Sequence, residues 1–478
     1  MYKYFLPNYN VHYVGMLKKK LAWRETAMGD KENSAGLQEK LDPQSSDAEY
    51  AGPQVFGLKS DWMRLAIFLW IILAVVVSIK TIMQPTRRTV YPVFALGSQH
   101  WWQDEPLHAD YGEETGLDIY RYSPTFAIAF TPFALLPHWL GGLLWNLMCI
   151  GVFFWSMRKL VDELLPGAWP PWREGMFLCL TLFGSVRGIW AAQSNGLLFA
   201  LVVFAAVAIM NNRNKTAAWI LAAAVYIKVW PIAAALLLIA CWPRKIFGHF
   251  LLAMLALALV PYLTRPFAVV NMQYAQWYSS IVEVQQERWP GIRDFWTVLE
   301  YLNLSGWWPM YYIIMISTAV AACAWVLYQK RLNLGSVFSG MGFCGTNNDR
   351  SVSNEKAQNS QGMRNLLTLI IATWICWQLL FGPGSERLTY QIMAPISTWA
   401  LMVSWSERRG RWLTLPAWLF VGILGTGGVE RMLLPIWHGA KTILPLGVII
   451  FVVWMVVHEI RKTSTSKKSR SSEKLGCL

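Results

Sequence analysis

The chain has 478 residues, 55% of them hydrophobic and 15% charged, with 28 tryptophans and a formal net charge of +14. Soluble domains carry about 25% charged residues; this deficit, with apolar runs of about 15–22 residues recurring along the chain, excludes an ordinary soluble domain and points to a polytopic helical membrane protein. The basic excess does not signify nucleic-acid binding, because Lys and Arg sit in short loops and tails rather than on one soluble face.

Residues 1–60 are polar and read as a largely disordered cytoplasmic segment. The first apolar run, 65–83, is too long and too late for a signal peptide. Its N-terminal flank is basic, which places that side in the cytoplasm. The stretch 84–121 is then extracytoplasmic, and 123–137, interrupted by Pro124, Pro132 and Pro137, reads as a short interfacial or re-entrant element. Further crossings are expected at 139–157, 175–189 and 196–210. Residues 216–242, interrupted at Lys228 and Pro231, read as two short helices meeting at the outer side. Crossings at 247–263 and 310–328 flank a second outer loop, 264–309. Residues 331–363 are rich in Gly, Ser and Asn and read as a flexible cytoplasmic loop. The last crossings are 365–381, 391–405, 413–428 and 443–458, followed by a basic cytoplasmic tail, 461–478. The expected fold is all-α, with about twelve transmembrane helices spanning 61–460, structured outer loops and both termini cytoplasmic.

The seven cysteines are scattered, and no spacing among them suggests a metal site or a disulfide framework. Six of the 28 acids crowd the first outer loop: Asp104, Glu105, Asp110, Glu113, Glu114 and Asp118. An acid there can act as a general base, and paired acids can ligate a metal, but the loop has no Asp-x-Asp. Asp118, in LDIYRYSP, is boxed by aromatics and followed by Arg121 and Tyr122 as candidate substrate contacts; partial burial there would suit a base. Asp104 follows Trp101–Trp102, an aromatic pair suited to a sugar or lipid face.

Ionisable groups at membrane depth are costly and need a reason. Lys228, in AVYIKVWP, reads as a lysine snorkelling to the interface or as a cation holding an anion such as phosphate. Arg187, in GSVRGIW, carries the same two readings. Gln193 and Asn195 stand at a helix mouth, suited to capping or to sugar contact. Glu386 and Arg387 read as a loop ion pair or as substrate contacts.

Several blocks follow one another in a telling order. After the acidic loop come YRYSPTFAIAFTPFALLP (120–137), AAQSNGLLFALVVFAAVAIM (191–210), AAWILAAAVYIKVWPIAAALLL (217–238) and FGPGSERLTYQIMAPISTW (381–399). Together they resemble glycosyltransferase family 87, the polyprenol-phosphate-mannose-dependent mannosyltransferase-like proteins, also catalogued as domain of unknown function 2029. The resemblance implies a GT-C fold with its active site at the outer membrane surface. It implies transfer of a hexose, typically mannose, from a polyprenyl-phosphate donor to a lipid, glycan or other acceptor hydroxyl, with inversion and no further cofactor. An acid of the first outer loop would act as base, which by position is Asp104, Asp110 or Asp118. Lys228, with Arg187 and Arg387, would steady the lipid phosphate. Many members carry an acid soon after the first helix, where this chain has Thr89-Val90-Tyr91-Pro92. The expected partners are membrane lipids, the donor and the acceptor, in the cell membrane. The helix number and the break at Pro231 also suit a transporter or lipid flippase, and the missing early acid suits an inactive protein of the same fold.

Overall fold

The computed structural model describes residues 61–109, 117–286, 291–304, 306, 308–334 and 349–476. The N-terminal leader, Asp110 and most of the polar loop after 334 lie outside the described residues. The described part is all-helical; its extended pairing is a single bridge between Ile292 and Glu386. In chain order the helices are α1 (Asp61–Met83), α2 (Tyr91–Gln103), α3 (Pro124–Ala134), α4 (His138–Lys159), α5 (Pro171–Trp190), α6 (Asn195–Met210), α7 (Asn214–Ile227), α8 (Ile232–Cys241) and α9 (Pro243–Leu259). They continue as α10 (Phe267–Gln286), α11 (Phe295–Tyr301), α12 (Trp308–Leu334), α13 (Asp349–Phe381), α14 (Met393–Ser406), α15 (Arg411–Leu419), α16 (Gly427–Leu433) and α17 (Ile443–Gly476).

Among the described residues, six helices are long and apolar enough to cross a membrane, or seven if the pair Arg411–Leu424 and Gly427–Leu433, bent by 94°, is one broken span. The chain is thus a multi-pass membrane protein. The about twelve crossings expected from apolar runs are not reached on length and composition, because α3, α6 and α8 are short apolar helices. Residues 123–137 do form a short element, but Pro132 lies inside α3 rather than breaking it; Pro124 starts the helix, where a missing N–H costs nothing. Two helices also run beyond the expected boundaries. α13 begins at Asp349, inside the stretch read as linker, and α17 continues to Gly476 through the Lys/Ser-rich tail. In both, a strongly apolar half nucleates a helix that polar residues of moderate propensity then extend.

α1 shows how the bundle is built. Ala66, Trp70, Leu73 and Val77 form one buried stripe, while Phe68, Ile71, Val75 and Ile79 are exposed on the opposite side, as suits lipid. Gly175 of α5 lets the backbones approach closely; a Cβ there would meet Trp62 and Met63 main chain at 2.4 Å. The Trp70 indole N–H then reaches the Leu178 carbonyl at 3.2 Å. α6 and α13 run through the centre of this main core.

A second core is aromatic and holds the first outer loop. Phe94 of α2 packs edge-on against Tyr122, Phe126, Phe130 and Trp145 at centroid distances of 4.8–5.6 Å. Trp101 and Tyr120 belong to the same cluster, 2% and 4% exposed. The Trp101–Trp102 pair is therefore divided: Trp101 is core, and Trp102 remains exposed with its indole N–H on Thr131. α10 and α11 occupy the second outer loop.

The loop segments that approach one another lie at one set of helix ends, and at three of these helices a basic residue follows the other end. Gln193 precedes α6 and Arg213 follows it; Lys228 precedes α8 and Arg244 follows it; Glu386 precedes α14 and Arg408 follows it.

Gly97 of α2 faces the Tyr120 ring, where a Cβ would lie 2.4 Å from the nearest ring carbon. Gly97→Ala is expected to cost about 1–3 kcal/mol by overpacking and to lower the melting temperature of the detergent-purified protein. Gly151→Ala, with nothing near its Cβ position, is the control and leaves melting unchanged or slightly raised.

Candidate functional site

A cavity of about 730 Å³ opens among these loop segments. It is walled by parts of 86–93, 117–122, 228–230, 280–283 and 383–388, with Gln193 and Ile292. Three cations, Arg88, Arg121 and Lys228, and three carboxylates, Asp118, Glu283 and Glu386, line it.

Lys228 reaches the cavity because the helix fails beside it. α7 ends at Ile227, and Lys228 takes extended backbone with φ −154° and ψ 136°. Pro231 removes an N–H, disfavours helix at the residue before it and starts α8. The ammonium sits 5.9 Å over the Tyr122 ring, close enough for cation–π attraction. Burial lowers the Lys228 pKa, with Glu386 pulling the other way.

Glu386 sits in the turn between α13 and α14. Gly384 takes φ +65° there, a conformation glycine adopts freely. Ser385 donates to the Gln378 carbonyl at 2.8 Å and accepts the Arg293 N–H on its own carbonyl at 2.7 Å. Burial raises the Glu386 pKa, nearby Lys228 opposes the shift and Asp118 adds to it. Tyr122 is likewise raised, by burial and then by Glu386 and Asp118. The carboxylate of Glu386 and the ammonium of Lys228 make no hydrogen bond or ion pair with the described residues.

Asp118 is arranged differently. Both its oxygens lie 2.8 Å from Arg121 Nη1, and one accepts the Ile119 N–H at 2.9 Å. Its side chain is 60% exposed, so the partial burial expected of it is not found. The loop leaves it at the cavity mouth because Tyr120 and Tyr122, its neighbours in sequence, take the buried positions.

Of the residues singled out from the sequence, the cavity therefore gathers Asp118, Arg121, Tyr122, Gln193, Lys228 and Glu386. Among the described residues it does not gather Asp104, Asn195, Arg187 or Arg387; Asp110 lies outside the described residues. Asp104 caps α2 in a left-handed conformation, φ +63°, and binds Arg265 at 2.8 Å, while Arg265 also holds the Trp101 carbonyl. Asn195 is 1% exposed at the start of α6, behind the lining. Arg187, at the end of α5, lies against Gly427, where a Cβ would be 2.0 Å from its guanidinium. Arg387 turns to Glu430, Nε to Oε2 3.4 Å. Glu386 and Arg387 are thus not a pair; adjacent in sequence, they serve opposite sides of the loop. Among the described residues no group of three or more His, Cys, Asp or Glu side chains is placed to hold a metal ion.

Arg293 and Glu430 escaped the sequence reading. Each is 2% exposed, and the guanidinium grips the carboxylate through Nη2 and through Nε at 3.3 Å. The signal was present: Glu430 is an ionisable residue in the apolar run GTGGVERMLL, a placement that calls for a partner. Arg88 and Glu283 were also missed, because single charges at loop ends carry no pattern.

The family model of glycosyltransferase family 87 matches residues 120–344. No curated protein and no solved structure matches the chain.

The Arg293–Glu430 pair anchors the backbone that carries Glu386, through the Arg293 N–H on Ser385 and the Tyr390 hydroxyl on the Arg293 carbonyl. Arg293→Ala strands a buried carboxylate and should destabilise by about 3–5 kcal/mol. The double variant Arg293→Met with Glu430→Leu should recover much of the loss, read as melting temperature.

Proposed function

We propose that the chain is a membrane glycosyltransferase of family 87, whose model matches residues 120–344, and that it moves a hexose, mannose in the first instance, from a polyprenyl-phosphate donor to an acceptor hydroxyl at the extracytoplasmic face. The observation that carries this reading is the cavity. Its volume of about 730 Å³ falls in the range of small-molecule sites, about 300–1,000 Å³. It sets an unpaired lysine ammonium facing carboxylates and an aromatic ring. That is the equipment for a phosphate leaving group, an acceptor proton and a sugar face.

The cavity's polar residues collect where helices stop, at the ends opposite those followed by Arg213, Arg244 and Arg408, which supports transfer at a membrane face rather than passage through the middle. By the positive-inside rule the basic ends are cytoplasmic and the cavity opens outside. The all-helical, membrane-spanning architecture is consistent with a GT-C enzyme. In the proposed reaction the acceptor oxygen attacks the anomeric carbon as the bond to phosphate breaks. Lys228, aided by Arg121 and Arg88, takes up the growing phosphate charge in a partly water-excluded site, where such contacts are strongest. Gln193 and Tyr122 face the sugar. Arg187 and Arg387 stand behind the wall and support the loop rather than the leaving group.

The test is to incubate the purified protein with labelled polyprenyl-phosphate mannose and membrane lipids and to follow label into an acceptor. Lys228→Ala should lower kcat/KM by about 10²–10³-fold. The pH profile has a required sign. The Lys228 ammonium is lowered from 10.5, its charge is present below its own pKa and lost above it, and kcat/KM reports the free enzyme. The wild-type kcat/KM should therefore fall on the alkaline side below pH 10.5. An alkaline limb at or above that value, or one unchanged in Lys228→Arg, would remove Lys228 from the phosphate role.

A further inference from the structure

We propose that Glu386, rather than an acid of the first outer loop, is the base that deprotonates the acceptor hydroxyl. The proposal rests on the transferase reading above and deepens it.

A general base needs a free lone pair, a fixed position and a place beside the reacting atoms. Asp118 has the place but not the fixed position, since its side chain stands 60% exposed and its partner Arg121, Nη1 at 2.8 Å from both oxygens, lies three residues away on the same loop. Asp104 is committed to Arg265 and lies outside the cavity lining. Glu283 lines the cavity but is exposed near the end of α10. Glu386 alone among the lining carboxylates joins all three properties. Its carboxylate takes no hydrogen bond or ion pair from the described residues. Its backbone is pinned by the bridge to Ile292 and, one residue before, by the Arg293 N–H on Ser385. Arg293 is in turn locked to Glu430. Arg387, next in sequence, points away to Glu430 and leaves Glu386 unclaimed.

The opposing group is equally informative. Lys228 and Glu386 face the same cavity and feel each other's charge, yet they make no ion pair. Opposite charges line one cavity of about 730 Å³ without pairing, and the proposed pose sets the phosphate on the lysine side and the acceptor on the carboxylate side.

The step balances. The acceptor O–H proton passes to a Glu386 oxygen while the new oxygen–anomeric carbon bond forms. The bond from the anomeric carbon to the phosphate oxygen breaks, and its electron pair leaves on the phosphate beside Lys228. Polyprenyl phosphate departs with one more negative charge than it had in the donor, and Glu386 releases the proton to water. The raised basicity that burial gives Glu386 suits proton abstraction near neutral pH.

The experiment uses the full chain in lipid nanodiscs, labelled polyprenyl-phosphate mannose and membrane lipids as acceptor. Glu386→Gln should lower kcat by about 10²–10⁴-fold, with donor KM and melting temperature close to wild type. Glu386→Asp should keep measurable activity and shift the acid limb of the kcat/KM profile. Asp104→Asn and Asp110→Asn should each retain kcat within about 10-fold, below the smallest effect expected of a base, and Asp118→Asn, at the cavity mouth, should alter donor KM more than kcat. Substantial kcat in Glu386→Gln, or loss of kcat in a first-loop variant beside an active Glu386→Gln, overturns the assignment. An unchanged acid limb in Glu386→Asp overturns it too, even where Glu386→Gln fails to fold. A wild-type chain that transfers nothing from any lipid-phosphate hexose overturns the transferase reading and the base with it; an active wild type with an active Glu386→Gln overturns the base alone.

Discussion

A buried guanidinium–carboxylate contact holds the candidate site together. Arg293 and Glu430 come from stretches 137 residues apart, and each is 2% exposed. Removing two charges from water costs several kcal/mol per ion after relaxation, so such a pair persists only where the geometry is good and the remaining polar atoms are used. Both conditions are met. Two guanidinium nitrogens reach Glu430, a third donates to the Ile292 carbonyl at 2.7 Å, and Arg387 supplies a further contact to the carboxylate. The pair joins three outer segments: the turn before α11, the turn between α13 and α14, and the bent hairpin that carries α16. No hydrophobic contact could fix the direction of those turns as sharply, because apolar packing is non-directional.

The same principle explains why the cavity exists where helices stop. A continuous helix satisfies its own backbone and offers lipid only side chains. At Lys228–Pro231, at Ala192–Asn195 and at Gly382–Arg387 the helices are interrupted, and polar groups become available to the interior. Ala192 takes φ +52° there, and the Trp145 indole N–H closes onto its carbonyl at 2.9 Å. Gln391 is wedged beyond it: a Cβ on Gly188 would meet its amide oxygen at 2.0 Å, and one on Gly196 its amide nitrogen at 2.8 Å. The glycines are thus part of the site's frame, since they let one glutamine brace the turn that presents Gln193.

Much of this was legible in the sequence, though unevenly. The break at Lys228 and Pro231, the Gln-Ser-Asn turn and the Gly-Pro-Gly-Ser-Glu-Arg loop each carry a local signature: a charge or a helix breaker in an apolar setting. All three reach the site. The first outer loop misled in detail. Its crowded acids looked like one chemical cluster, but the described ones, Asp104 and Asp118, take different partners once the aromatics take the core. Asp104 became a latch to Arg265 and Asp118 a mouth residue paired with Arg121. Six or seven described helices are long and apolar enough to cross a membrane, against the about twelve expected, because apolar runs do not reveal that α3, α6 and α8 are short helices. Arg293 and Glu430 were invisible as a pair because no local rule links residues so distant; only the tertiary fold shows that two costly charges answer each other.

Two kinds of charge pairing now stand side by side at the cavity, and their energetics separate their roles. Asp118 and Arg121 are three residues apart and substantially exposed, and such surface pairs are worth about 0–1 kcal/mol. They can exchange each other for substrate groups at little cost, which suits a mouth that must open and close around a lipid headgroup. Lys228 and Glu386 are partly buried and held apart. Their backbones lie at a broken helix and at a turn held through Arg293. A cation and a carboxylate fixed in that way do not reorganise when charge moves between bound groups, and preorganised charge of this kind is the larger part of what a transferase site supplies. On the proposed reading the mouth contributes selection and entry, and the interior contributes the chemistry.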